Sequence, residues 1–143
     1  MAPIESLLEP GHLDITVSTL VRRRVLVVDD DRMIRSMLRR LLSMHQVIPA
    51  DGGQAALELC QNEDFDIILC DVMMPKQTGL DVYHALRAKR PELARRIIFM
   101  TGGVFDRDVT DFLDSVDNPC LVKPMTRKAL LEVIARVLDD NAT

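Results

Sequence analysis

Residues 67–75 read IILCDVMMP: four apolar residues run straight into an acid, Asp71, and a proline follows four positions later. An unpaired charge is expensive to bury. The carboxylate is therefore either a local cap or part of a site that uses it. The run itself, FDIILC (65–70), reads as a strand buried on both faces, because parallel strands covered by helices are continuously apolar rather than alternating.

Similar runs lie on either side. VLVV (25–28) ends in Asp29-Asp30-Asp31, RIIFM (96–100) ends at Thr101-Gly102-Gly103, and the short CLV (120–122) ends at Lys123-Pro124. QVIPA (46–50) is a weaker strand, and Pro49, which cannot donate a ladder hydrogen bond, puts it at a sheet edge. Helical patterns fill the gaps. RMIRSMLRRLLS (32–43) sets Met33, Ile34, Met37, Leu38, Leu41 and Leu42 at helical spacing, behind acids that suit a helix N-terminus. QAALELC follows the turn Asp51-Gly52-Gly53. LDVYHALRAKR offers Leu80, Val82, Tyr83 and Leu86 to a core, and Pro91 breaks it. A fourth helix is expected over 106–115. A last one is expected over 126–138, with Ala129, Leu130, Val133, Ile134 and Val137 on one stripe. Strands alternating with helices predict an α/β fold, a flavodoxin-like doubly wound (βα)5 with a five-stranded parallel sheet in the order 2-1-3-4-5. Residues 1–22, with Pro3, Pro10 and Gly11 and no sustained period, read as a tail or linker, and 23–140 as the folded domain.

The 143 residues suffice for one core, and 48% hydrophobic with 28% charged residues is ordinary for a soluble protein. A net charge of −4 argues against direct nucleic-acid binding. No apolar run approaches the roughly 20 residues of a membrane span, and the first residues lack a signal-peptide pattern. The expectation is a cytoplasmic protein away from membranes. Cys60, Cys70 and Cys120 have no close-spaced partner and read as reduced, buried thiols. His12, His45 and His84 are scattered and read as surface or helix residues.

Ligands of open parallel sheets bind at the carboxyl ends of the strands, near the switch in strand order. There strand 1 delivers Asp29 and Asp30, strand 3 Asp71, strand 4 Thr101 and strand 5 Lys123. Three converging carboxylates repel one another. A hard divalent cation, Mg²⁺ above all, would offset them, with Lys123 as a second positive charge. A carboxylate nucleophile, a metal and a lysine to stabilise transferring oxygens, and a Thr101 hydroxyl make a site for a phosphoryl group. Gly102 leaves room for it to enter, while Pro75, Gly79 and Pro124 shape the surrounding loops.

Over about residues 24 to 139 the chain resembles the response-regulator receiver domain of two-component signalling. The matching pieces are VLVVDDD (25–31), ADGGQAAL (50–57), DVMMPKQTG (71–79), FMTGG (99–103) and LVKP (121–124). The resemblance implies that Asp71 is the phosphoacceptor, served by the phosphohistidine of a sensor histidine kinase or a histidine phosphotransfer protein. It implies Mg²⁺ held by Asp30 and Asp71, with Asp29 acting mainly through water and the Met73 carbonyl as a further ligand. Thr101 and Lys123 would sense the phosphoryl group and reshape the face of the fourth helix, fifth strand and fifth helix toward a downstream protein. In this family that face can also pair two copies. Such a protein is no general enzyme and catalyses only its own phosphorylation and dephosphorylation, with kinase activity expected only if the chain is cut from a longer hybrid kinase. Many relatives carry an aromatic ring three residues before the lysine; here Cys120 stands at that switch position. Met125 follows Lys123-Pro124 where Phe is common, and Gln77 stands where Met is common. The TGGVF and VDNPCLVKP segments are most like receivers of hybrid sensor kinases. The expectation is a stand-alone receiver or one cut from a longer chain. Two rival readings are a haloacid-dehalogenase-like phosphatase, with Asp29 as nucleophile and Asp31 as acid/base, and a non-phosphorylated interaction module of the same fold.

Overall fold

A computed structural model describes residues 21–103 and 107–141. Residues 1–20 of the expected tail and position 106 of the expected fourth helix lie outside the described residues. Five strands, β1 (Arg24–Val28), β2 (Gln46–Ala50), β3 (Ile67–Asp71), β4 (Ile97–Thr101) and β5 (Cys120–Val122), form one parallel sheet in the order β2-β1-β3-β4-β5. Among the described residues the helices are α1 (Arg32–Leu41), α2 (Gly53–Asn62), α3 (Gly79–Lys89), α4 (Arg107–Ser115) and α5 (Arg127–Asp140), with a helical turn at Pro91–Ala94. This is the doubly wound α/β order expected from the sequence, with Pro49 on the edge strand β2.

Strand pleating divides the core in two. Leu26, Val28, Ile68, Cys70, Ile97 and Phe99 pack with α2, α3 and α4. Val25, Val27, Ile67, Leu69, Ile98 and Met100 pack with α1 and α5. Each large aliphatic side chain buried this way contributes about 1.5–3 kcal/mol, so the central strands hold the sheet rigidly under whatever projects from its carboxyl edge.

Local chemistry sets the helix starts. Asp31 caps α1 by accepting from the Met33 N–H. Thr78 and Asp81 form a reciprocal capping box on α3, and Thr126 caps α5 through the Ala129 N–H. Pro91 does end α3, but it also begins the Pro91–Ala94 turn, where its missing N–H costs nothing.

Three sequence expectations are corrected. His45 is buried rather than on the surface or in a helix, because its Nδ1 accepts from the Arg23 N–H at 3.0 Å as the chain enters β1. Cys120 is exposed, since β5 is a three-residue edge strand and only Leu121 of it turns into a core. Met33 is 79% exposed; it sits one position outside the stripe of Ile34, Met37, Leu38 and Leu41 that α1 turns toward the sheet.

Candidate functional site

The carboxyl edge of the sheet gathers the acids. β1 hands over to Asp29 and Asp30, and β3 ends on Asp71 itself. Asp29, Asp30 and Asp71 each offer a carboxylate oxygen within 4.8 Å of the others. Asp29 has no exposed surface and Asp71 is 6% exposed, while Asp30 is open to solvent.

Each buried acid is held by backbone and by Lys123. Asp29 Oδ1 accepts from the Asp31 N–H at 2.9 Å and Asp71 Oδ1 from the Met73 N–H at 3.1 Å. Lys123, after β5, places its Nζ 2.7 Å from Asp29 Oδ2 and 3.2 Å from Asp71 Oδ2. Burial and the neighbouring Asp29 charge push the Asp71 carboxyl above the usual carboxylate range, against the pull of Lys123 and the Met73 N–H. Burial opposes the Lys123 ammonium, but its bond to Asp29 and the charges of both acids together raise its pKa. One ammonium therefore serves a cluster of three carboxylates. That excess of hard oxygen donors and negative charge fits a divalent cation such as Mg²⁺.

The remaining predicted residues surround this centre. Thr101 ends β4 and is buried, but its hydroxyl accepts from the Gly103 N–H at 3.2 Å rather than meeting the carboxylates. The Lys123 N–H donates to the Thr101 carbonyl at 2.7 Å, tying the ends of β4 and β5 together. Among the described residues a Cβ on Gly102 would meet nothing within 4 Å. Pro75 is exposed on the loop after β3, and the Lys123–Pro124 peptide is cis. Gly79 is required by close approach: a Cβ there would lie 2.7 Å from the Asp71 carbonyl oxygen. Met73 is 52% exposed at the rim, and Cys120 points outward from β5.

Sequence reasoning did not single out Arg35. Its guanidinium donates to the Asp29 carbonyl at 2.7 Å and anchors the loop that carries the acids. The available signal was a cation one helical turn beyond the Asp29-Asp30-Asp31 run. The phosphatase reading loses ground here. Asp29 is enclosed and bonded to Lys123, and the Asp31 carboxylate is occupied as the α1 cap.

A doubly wound sheet with an acidic cluster at its switch point and a lysine across it places the class of this protein among open α/β folds that bind their ligand at the carboxyl ends of the strands. A family model for the response regulator receiver domain matches residues 25–135. The chain belongs to that family, the receiving module of two-component systems. It is 39% identical to the response regulator MprA of Mycobacterium sp. (strain KMS) over 116 residues, 80% of this chain and 48% of that protein. The chain thus spans about half the length of the first curated relatives it matches. Among solved structures it is similar to the chemotaxis protein CheY4 of Vibrio cholerae, with 30% identity and TM-score 0.72 over 82% of this chain and 100% of that one. The response regulator protein TrrA of Thermotoga maritima, solved in complex with Mg²⁺-BeF, matches at 27% identity and TM-score 0.71 over 81% and 99%. Among the described residues no helix is long and apolar enough to cross a membrane.

Proposed function

We propose that residues 23–140 form a phosphorylation-dependent signalling switch, in which Asp71 accepts a phosphoryl group from the phosphohistidine of a sensor histidine kinase or a histidine phosphotransfer protein. The observation that carries this reading is the cluster of Asp29, Asp30 and Asp71 oxygens within 4.8 Å, crossed by Lys123. The Mg²⁺-BeF complex of the relative TrrA supports it.

Asp30 and Asp71 would hold Mg²⁺ directly, Asp29 through water, and the Met73 carbonyl would complete the protein ligands. Bound there, the ion would supply positive charge to offset the acids and polarise the phosphoryl oxygens. An Asp71 carboxylate oxygen attacks phosphorus; the bond from phosphorus to the histidine nitrogen breaks, and the imidazole leaves with that electron pair. Lys123 exchanges its contact with Asp71 for one with a phosphoryl oxygen. Thr101 turns its hydroxyl from the Gly103 N–H to the same group. An order change of this kind, driven by a new charged group, is a known switch device. With Cys120 in place of an aromatic ring, the change in the α4–β5–α5 face toward its downstream protein proceeds without a swinging ring.

The test is incubation with acetyl phosphate. One phosphoryl adduct is expected with Mg²⁺ and none with excess chelator. Equal adduct formation under both conditions would contradict the metal-dependent mechanism, and no adduct under either would favour the interaction module.

A further inference from the structure

The cations of this chain are not spread evenly. Arg87, Lys89, Arg90, Arg95 and Arg96 fall between positions 87 and 96, where Glu92 is the one acid. This stretch covers the end of α3, the Pro91–Ala94 turn and the entry to β4, at the amino edge of the sheet. Five-residue strands rise about 17 Å, so the stretch stands about that far below the Asp71 edge.

Arg90 and Arg96 have structural work. Arg90 donates to the carbonyls of Cys60 and Glu63 and pairs with Asp64 and Glu92. Arg96 donates to the Phe65 carbonyl and pairs with Asp64. Together they pin the segment between α2 and β3. Arg87 and Arg95 are exposed and form no ion pair among the described residues. Both instead line a groove of about 300 Å³ between α3 and the end of α4, with Tyr83, Ser115 and Asp117.

The Tyr83 ring gives this groove a stiff floor. It is buried and packs on Phe99 at 6.1 Å and Phe112 at 5.4 Å between centroids, with the His84 ring at 5.6 Å. Two guanidinium forks at one concavity suit a planar anion, and a carboxylate matches the fork best. The two arginines outweigh Asp117 in the lining. The net charge of −4 disfavours approach of a long polyanion, whereas a short acidic segment meets only the local field.

We propose that the groove between α3 and α4 at the amino edge of the sheet docks an acidic segment of a partner protein, seating a carboxylate side chain between Arg87 and Arg95. This surface is separate from the phosphoacceptor edge and does not depend on its chemistry.

The experiment is a titration of the isotope-labelled full chain with a blocked glutamate-rich peptide, followed residue by residue in ¹⁵N–¹H spectra. A glutamine-matched peptide and a DNA duplex of equal charge are run beside it. Saturable changes confined to residues 83–95 and 115–117, absent with the glutamine peptide, are expected. The double variant Arg87→Ala/Arg95→Ala should weaken binding about tenfold or more, while Arg39→Ala/Arg40→Ala, on α1, should leave it unchanged. Three results would each overturn the proposal: no saturable change with the glutamate peptide, equal weakening in the α1 variant, or tighter binding of the duplex at the same residues. Both variants alter exposed side chains, and their unliganded spectra report whether the fold is intact.

Discussion

Asp71 is held at a cost that its neighbours impose. Burial and the Asp29 charge raise its folded pKa, so the unfolded chain loses that proton more readily than the folded one. Its contribution to stability is therefore present below the unfolded pKa and lost as pH rises through the folded value. At neutral pH without Mg²⁺, Asp71→Asn should raise the urea midpoint relative to wild type; a lower midpoint would contradict this electrostatic picture. Met73 bears on lifetime. Two positions past Asp71 and 52% exposed, its thioether cannot orient a water for attack on the acyl phosphate. Met73→Asn should shorten the half-life of the adduct, followed by mass after removal of the donor, and an unchanged or longer half-life would show that water access is set elsewhere. The acids and Lys123 were legible in the sequence because each stands where an apolar strand stops. Arg35 was not, because its bond goes to a backbone carbonyl, which leaves no trace in residue type.

Elements bring these residues to one place, and their ends are where substitutions tell most. Thr78→Ala breaks the α3 capping box and should cost about 1 kcal/mol in urea unfolding; a change within the error of the measurement would mean that packing alone fixes the start of α3. Gly79→Ala drives a Cβ against the Asp71 carbonyl. It should cost about 1–3 kcal/mol and lower the yield of the phosphoryl adduct, linking helix position to chemistry. At the opposite edge, burial and the Arg23 and Arg22 charges lower the pKa of His45 below its ordinary 6.5, against the opposing pull of Asp66. The folded state thus binds this proton less readily than the unfolded one. The stability contributed by neutral His45 is full above about 6.5 and falls as pH drops toward the folded value. His45→Asn keeps an acceptor for the Arg23 N–H and should flatten the fall in unfolding free energy between about pH 7 and pH 5; an identical slope in both proteins would contradict the assignment. The strands were readable because both faces are covered, which makes them continuously apolar. His45 and Cys120 were misread because their exposure depends on distant chain segments, the entry to β1 in one case and the shortness of an edge strand in the other.

At the scale of the whole molecule, the order β2-β1-β3-β4-β5 brings β1 and β3 side by side and so sets three acids against one another with Lys123 across them. This arrangement was half visible in the sequence: the alternation of elements pointed to the strand order, but the net charge of −4 says nothing of the Arg87–Arg96 cations gathered at the amino edge beside Asp64 and Glu92. An ion that binds only the folded acids stabilises the fold by mass action. Mg²⁺ at a hundred times its dissociation constant should therefore add about 2.7 kcal/mol to unfolding free energy, and Asp30→Asn should remove most of that gain. The most direct test of the phosphoacceptor assignment is peptide-mapped mass spectrometry after acetyl phosphate and Mg²⁺, on wild type, Asp71→Asn and Asp29→Asn. A single phosphoryl group on the peptide containing Asp71, absent in Asp71→Asn, is the expected result. An adduct on Asp29, or one that survives Asp71→Asn at wild-type yield, would contradict it.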